Sequence, residues 1–176
     1  MTLEKLNVLS PRDAVTFFRQ CCGSFQWART VADRRPYSSI ERLCSIADEV
    51  WNDLSPADWK EAFSRHPRIG EVKELRKRFS STASLAESEQ AGVFKTPEKI
   101  LKSLAEGNAL YEAKFGYIFI VCATGKSAEE MLKLLNARLD NRPAEELRIA
   151  AGEQAKITKL RIQKLLNSAD DQPRET

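Results

Sequence analysis

His66, Glu89 and Arg161 stand far apart along the chain, yet their types and settings suit proton transfer and anion binding. His66 is the one histidine in 176 residues and sits in the run His66-Pro67-Arg68-Ile69-Gly70. A residue before proline is pushed towards extended geometry, so this imidazole is presented from a turn and not from the middle of a helix. An unperturbed imidazole titrates near physiological pH and can act as general acid or base; the plainer reading is a surface or helix-capping histidine. Glu89 lies in Leu85-Ala86-Glu87-Ser88-Glu89-Gln90-Ala91-Gly92-Val93. Helical spacing sets it beside Leu85, Ala86 and Val93 on the apolar face and turns Glu87 outward. Burial disfavours a charged carboxylate unless a cation or donors compensate, and such an acid can transfer protons near neutral pH. The alternative is a glutamate at the edge of the stripe that reaches water or a lysine. Arg161 is flanked by Ile157 and Leu165, four residues to either side, so its guanidinium is set against the core face. A buried guanidinium needs an anion, either a protein acid such as Glu153 or the carboxylate of a ligand.

Other candidates carry less. Arg68, Arg138, Arg142 and Arg148 stand where solvated helix ends or loops would also place them, and they remain unassigned. Trp27, Trp51 and Trp59 are spaced like core or lid aromatics. Gly125-Lys126-Ser127 has no glycine five residues before Gly125, which excludes a phosphate loop and leaves Ser127 as a helix cap. Cys21, Cys22, Cys44 and Cys122 form no CxxC pair and have no companion histidines, so reduced, mostly buried thiols are expected and no metal site. The 28 Lys and Arg against 25 Asp and Glu give a net charge of +3, mixed along the chain, so no nucleic-acid partner is implied. The start, MTLEKLNVLSPRD, lacks the pattern of a signal peptide, and no segment approaches the length of a membrane span. A soluble, cytoplasmic protein with no membrane partner is expected, ending in a loose polar tail.

The elements that must position these residues are mostly helices. Ser10-Pro11-Arg12-Asp13, Ser55-Pro56-Ala57-Asp58 and Thr96-Pro97-Glu98 each place a hydroxyl, a proline and an acid in the order that starts a helix. Helices are predicted at about 11–22, 56–64 and 97–113, with further helical periodicity at about 39–53, 71–79, 83–92, 127–139 and 143–167. Leu147, Ala150, Ile157, Leu160 and Leu165 mark the apolar face of the last, a spine for a bundle. Phe115-Gly116-Tyr117-Ile118-Phe119-Ile120-Val121-Cys122-Ala123 breaks the pattern as a continuous apolar run. With no second strand candidate nearby, it is expected to be a buried extended segment whose backbone groups need a helix terminus, water or a ligand.

Taken in order, these blocks resemble the 2-oxo-4-hydroxy-4-carboxy-5-ureidoimidazoline (OHCU) decarboxylase family over nearly the full length. The blocks are Phe18 through Cys22-Gly23-Ser24 to Trp27, Arg35-Pro36-Tyr37, His66 to Gly70, Glu89 to Gly92, Phe115 to Ala123, and Glu146-Leu147 through Glu153 and Ile157 to Leu160-Arg161-Ile162. The resemblance implies an all-α, single-domain bundle of about eight helices over residues 1–168, with residues 169–176 as the tail. It implies a cofactor-independent enzyme, commonly a homodimer, that forms (S)-allantoin in urate breakdown beside uricase and hydroxyisourate hydrolase. By position it makes His66 and Glu89 the catalytic acid/base pair. Pro67, Gln90, Arg161 and the backbone of Phe119, Ile120, Val121, Cys122 and Ala123 would bind the small-molecule substrate. Family members often carry serine where this chain has Ala86, so that contact is missing here or passes to Ser84 or Ser88. A helical interaction module, or a decarboxylase or hydrolase of a related ureido acid, is the competing reading.

Overall fold

The computed structural model describes residues 1–67, 73, 75 and 97–167. Among these residues there are eight helices and no strand: α1 (Leu3–Asn7), α2 (Pro11–Cys21), α3 (Phe25–Asp33), α4 (Ile40–Asn52), α5 (Pro56–Ser64), α6 (Glu98–Phe115), α7 (Ala128–Leu139) and α8 (Pro143–Asn167). The all-α class is thus as expected. Six of the helices begin on a hydroxyl side chain that accepts from a first-turn amide: Thr2, Ser10, Ser24, Ser39, Ser55 and Ser127. Ser55 with Asp58 and Ser127 with Glu130 close reciprocal capping boxes, which satisfy two orphan donors at each start. α6 is capped by Pro97 without a side-chain bond, and Thr96 lies outside the described residues. α6 ends at Gly116 in the left-handed region (φ 76°), where a glycine carries no steric cost. The helices at Leu3–Asn7 and Phe25–Asp33 were not predicted; both are short, and their caps, Thr2 and Ser24, lack the following proline that marks Ser10 and Ser55. Of the helix expected at 71–79 only Lys73 and Leu75 are described, both helical, and the one expected at 83–92 lies outside.

The chain forms two compact units, Met1–His66 with Ala151–Thr176, and Pro67–Ala150. In the first unit Phe18 meets Trp27 and Tyr37 edge to face within the core. Each indole N–H finds a carbonyl: Trp27 bonds Ala47, Trp51 bonds Ala151 and Trp59 bonds Trp51. The Arg35-Pro36-Tyr37 block is a knot of backbone bonds. Arg35 donates to the carbonyls of Leu6, Leu9 and Ala32, Asn7 and Tyr37 exchange bonds, and the Tyr37 hydroxyl donates to Val31. In the second unit α6 and α7 pack at Gly107, where a β-carbon would stand 2.7 Å from Leu135 Cδ2.

The buried face of α8 differs from the one its apolar residues mark. Leu160 is 42% exposed and Leu147, Ile157 and Leu165 are half-buried. The buried positions are Glu146, Ala150, Ala151, Gln154, Thr158, Ile162 and Leu166. Spacing alone ranks apolar residues and passes over buried polar ones, which occupy the inner face here because each finds a partner.

Gly107→Ala separates two opposed effects. Removing a mid-helix glycine favours folding by about 1 kcal/mol, whereas forcing a methyl against the fully buried Leu135 costs about 1–3 kcal/mol. The variant should unfold at lower denaturant with an unchanged slope; an equal or higher midpoint would mean that Leu135 moves aside freely.

Candidate active site

His66 follows the end of α5, where its amide bonds the Phe63 carbonyl and Arg65 bonds Ala62, so the turn extends the last helical turn in tightened form. Pro67 then ends the helical path, and the half-buried imidazole leaves the turn as the sequence led one to expect. The ring Nε2 lies 2.6 Å from Oε1 of Gln154, a side chain that is 0% exposed. The Gln154 amide nitrogen donates to Thr158 Oγ1 at 3.1 Å. One turn further along α8, Arg161 donates from Nη1 to the Cys21 carbonyl at 3.2 Å. Gln154, Thr158 and Arg161 follow at four- and three-residue steps on one helical face, so His66 and Arg161 are anchored along the same stretch of α8.

This neighbourhood is held in place by Gly23. A β-carbon there would meet Arg65 Cγ at 2.5 Å and Cβ at 2.6 Å, so only glycine lets the Cys22-Gly23-Ser24 link pass the turn that carries His66. Burial is the main cause that pushes the Cys21 thiol up to about 12 and the Cys22 thiol up to about 11, against the lowering influence of Arg161. Neither sulfur is a thiolate at neutral pH, so neither is a nucleophile. Glu153, weighed as a partner for Arg161, pairs instead with Lys156, and among the described residues no carboxylate pairs with Arg161. Glu89, Gln90 and Ala86 lie outside the described residues.

In the second unit Pro67 is exposed, and residues 117–123 run without regular structure between α6 and α7, whereas Phe115 and Gly116, expected in the same extended run, form the end and the left-handed cap of α6. Tyr117 and Ile120 are buried, while Phe119, Val121, Cys122 and Ala123 are half-buried. One guanidinium fixes the segment. Arg138 donates from Nη1 to the Ile120 carbonyl at 2.8 Å and lies 4.7 Å from the centre of the Phe119 ring. Its Nε and Nη2 reach Oε1 of the fully buried Glu146, which also accepts from the Tyr111 hydroxyl, while Asn141 donates to Oε2. Burial first, and the Glu146 bond second, push the Tyr111 hydroxyl above its ordinary range, so it stays a donor. Among the described residues no group of three His, Cys, Asp or Glu side chains is arranged to hold a metal ion. No described helix is long and apolar enough to cross a membrane.

Residues 7–163 match the profile of the family described as OHCU decarboxylase. The chain belongs to this family. It is 43% identical over 151 residues to the uric acid degradation bifunctional protein TTL of Arabidopsis thaliana, covering 85% of this chain and 46% of that protein. The chain thus spans about half the length of that bifunctional relative. It is 30% identical to the OHCU decarboxylase of Amia calva over 79% of both chains. Its fold matches a crystal structure of OHCU decarboxylase obtained in the presence of (S)-allantoin with a TM-score of 0.69 and 38% identity, covering 85% of this chain and 96% of that one.

Sequence reasoning missed Gln154, Thr158 and Tyr111, left Arg138 unassigned and used Glu146 only as a landmark of the family likeness. The available signal for the first two was polar residues at helical steps leading to Arg161, and it was hidden by the leucines beside them.

Glu146→Leu leaves the Arg138 charge buried without its carboxylate and should cost about 3–5 kcal/mol. The double variant Arg138→Met/Glu146→Leu removes both charges and should be more stable than Glu146→Leu alone. Denaturant midpoints decide it, and a double variant no more stable than the single would mean that the pair is not coupled.

Proposed function

We propose that this chain decarboxylates OHCU to (S)-allantoin in urate degradation, acting as a cytoplasmic homodimer without a cofactor and downstream of uricase and hydroxyisourate hydrolase. The observation that carries this reading is the 38% identity to the OHCU decarboxylase solved in the presence of (S)-allantoin, over 96% of that chain. In that reading residues 1–168 form the catalytic domain. The chemistry asks little of the protein beyond placement. The substrate carries a carboxylate and a hydroxyl on a carbon beside a C=N bond. When the bond to CO2 breaks, its electron pair enters the imine, whose nitrogen takes up a proton, so the substrate supplies its own electron sink. The hydroxyl oxygen loses its proton as a carbonyl forms, and a proton is added to the ureido-bearing carbon. Delivery to one face sets the product's handedness, which is a matter of fixed orientation.

His66 is the group for that proton, and Glu89 completes the acid/base pair. A carboxylate near the imidazole would raise its pKa and favour the protonated ring. Arg161 supports a substrate-binding role because its planar fork suits a carboxylate and, among the described residues, no acid neutralises it. Gln90 reads the ureido or ring amide groups. Pro67 and the backbone from Phe119 to Ala123 keep the lining role that the family resemblance gives them, and Ala86 lines the pocket without the hydroxyl contact of the family's serine.

Purified protein incubated with uricase, hydroxyisourate hydrolase and urate should yield optically active allantoin, followed by circular dichroism. Racemic product at the uncatalysed rate would overturn the assignment. His66→Asn should lower turnover by ~10²–10⁴ while the fold is kept. Arg161→Ala should raise KM, and an unaltered KM and kcat would reject its role in binding.

A further inference from the structure

The Gln154 side chain is enclosed, and its amide is committed at both ends. Its nitrogen donates to Thr158 Oγ1, and its oxygen faces His66 Nε2 at 2.6 Å. The direction of this chain of bonds follows from the amide itself. An amide nitrogen can only donate, and that of Gln154 donates to Thr158 Oγ1, so its carbonyl end is turned to the imidazole. A carbonyl oxygen can only accept. The hydrogen of the 2.6 Å bond therefore resides on His66 Nε2, and in the neutral ring the basic lone pair resides on Nδ1.

We infer that Gln154 is a positioning residue for His66: its buried amide, tied to Thr158, holds the imidazole in its Nε2–H tautomer, so that the proton exchanged with substrate passes through Nδ1. The second nitrogen of a catalytic imidazole sets its orientation and tautomer, and the partner is usually a carboxylate or a backbone carbonyl. Here it is a neutral, fully buried amide. A neutral acceptor fixes the ring without the Coulombic pull of a carboxylate towards the imidazolium, so control of geometry is separated from control of charge. Burial makes the arrangement stiff. Rotating the Gln154 amide would exchange the acceptor at Nε2 and the donor at Thr158 together, so both bonds must break at once around a side chain that is 0% exposed.

The role of Gln154 in turnover rests on the catalytic reading of His66; its control of the tautomer does not. Because the chain holds a single histidine, ¹⁵N-labelled protein reports one imidazole without ambiguity. In the unaltered protein the neutral ring should be the Nε2–H tautomer, with that proton slow to exchange with water. Gln154→Met keeps the volume but removes the acceptor. Its Nε2–H proton should exchange rapidly, the ring nitrogens should move towards the average of two tautomers, and kcat should fall by at least roughly tenfold, within the ~10²–10⁴ that an acid/base group supplies. KM should stay within about twofold. Gln154→Glu restores an acceptor and should recover the protected proton together with turnover lost in the Met variant. An Nδ1–H tautomer in the unaltered protein, or an unchanged imidazole spectrum in Gln154→Met, would overturn the inference, and the first of these needs no variant to fold. If the protein makes no (S)-allantoin while the spectra behave as described, the proposed activity fails and the tautomer assignment stands.

Discussion

A buried amide or carboxyl group that finds no partner costs free energy of the order of several hydrogen bonds, and helix α8 carries Glu146, Gln154 and Thr158 on its inner face. That constraint organises each unit. Glu146 draws in Arg138, Tyr111 and Asn141, and through Arg138 it fixes the carbonyl of Ile120 in a segment that has no sheet to hold it. Gln154 draws in His66 and Thr158. The same helix that a hydrophobic spine would have made inert therefore arranges the polar groups on which chemistry can be built.

The hydroxyl–proline–acid starts were legible because the signal is local, and Pro11–Cys21 and Pro56–Ser64 lie where the sequence placed them, as does Pro143–Asn167, which helical periodicity marked. The extended run after Phe115 was legible from its composition and from the absence of a strand to pair with. The presentation of His66 followed from one steric rule about proline. What escaped was non-local. Arg138 reads as a solvated helix-end arginine until Glu146 and the Ile120 carbonyl are brought to it, and Gln154 reads as an ordinary helix residue until His66 meets it across 88 positions. Apolar periodicity fails for α8 for the same reason: which face turns inward was decided by partners on other elements, and Leu160 was left outside.

The two polar clusters differ in kind. Around Arg138 a full charge is enclosed with its counter-ion, an arrangement that stiffens a segment and tolerates little change. Around His66 the enclosed group is neutral and the ionisable ring is only half-buried, so a proton can come and go without stranding a charge in the core. Rigidity sits in the support and titration at the edge, the order that a site delivering one directed proton requires.

The four cysteines give the fold an internal clock. Cys21, Cys22 and Cys44 are buried as free thiols, while Cys122 is half-buried. An alkylating reagent meets the enclosed sulfurs only when helices part. Modification at Cys21 and Cys22 thus counts excursions of the region around α2, and Cys44 those of α4, each against the baseline set by Cys122. Native chemistry, with no introduced label, can resolve which part of the molecule breathes first.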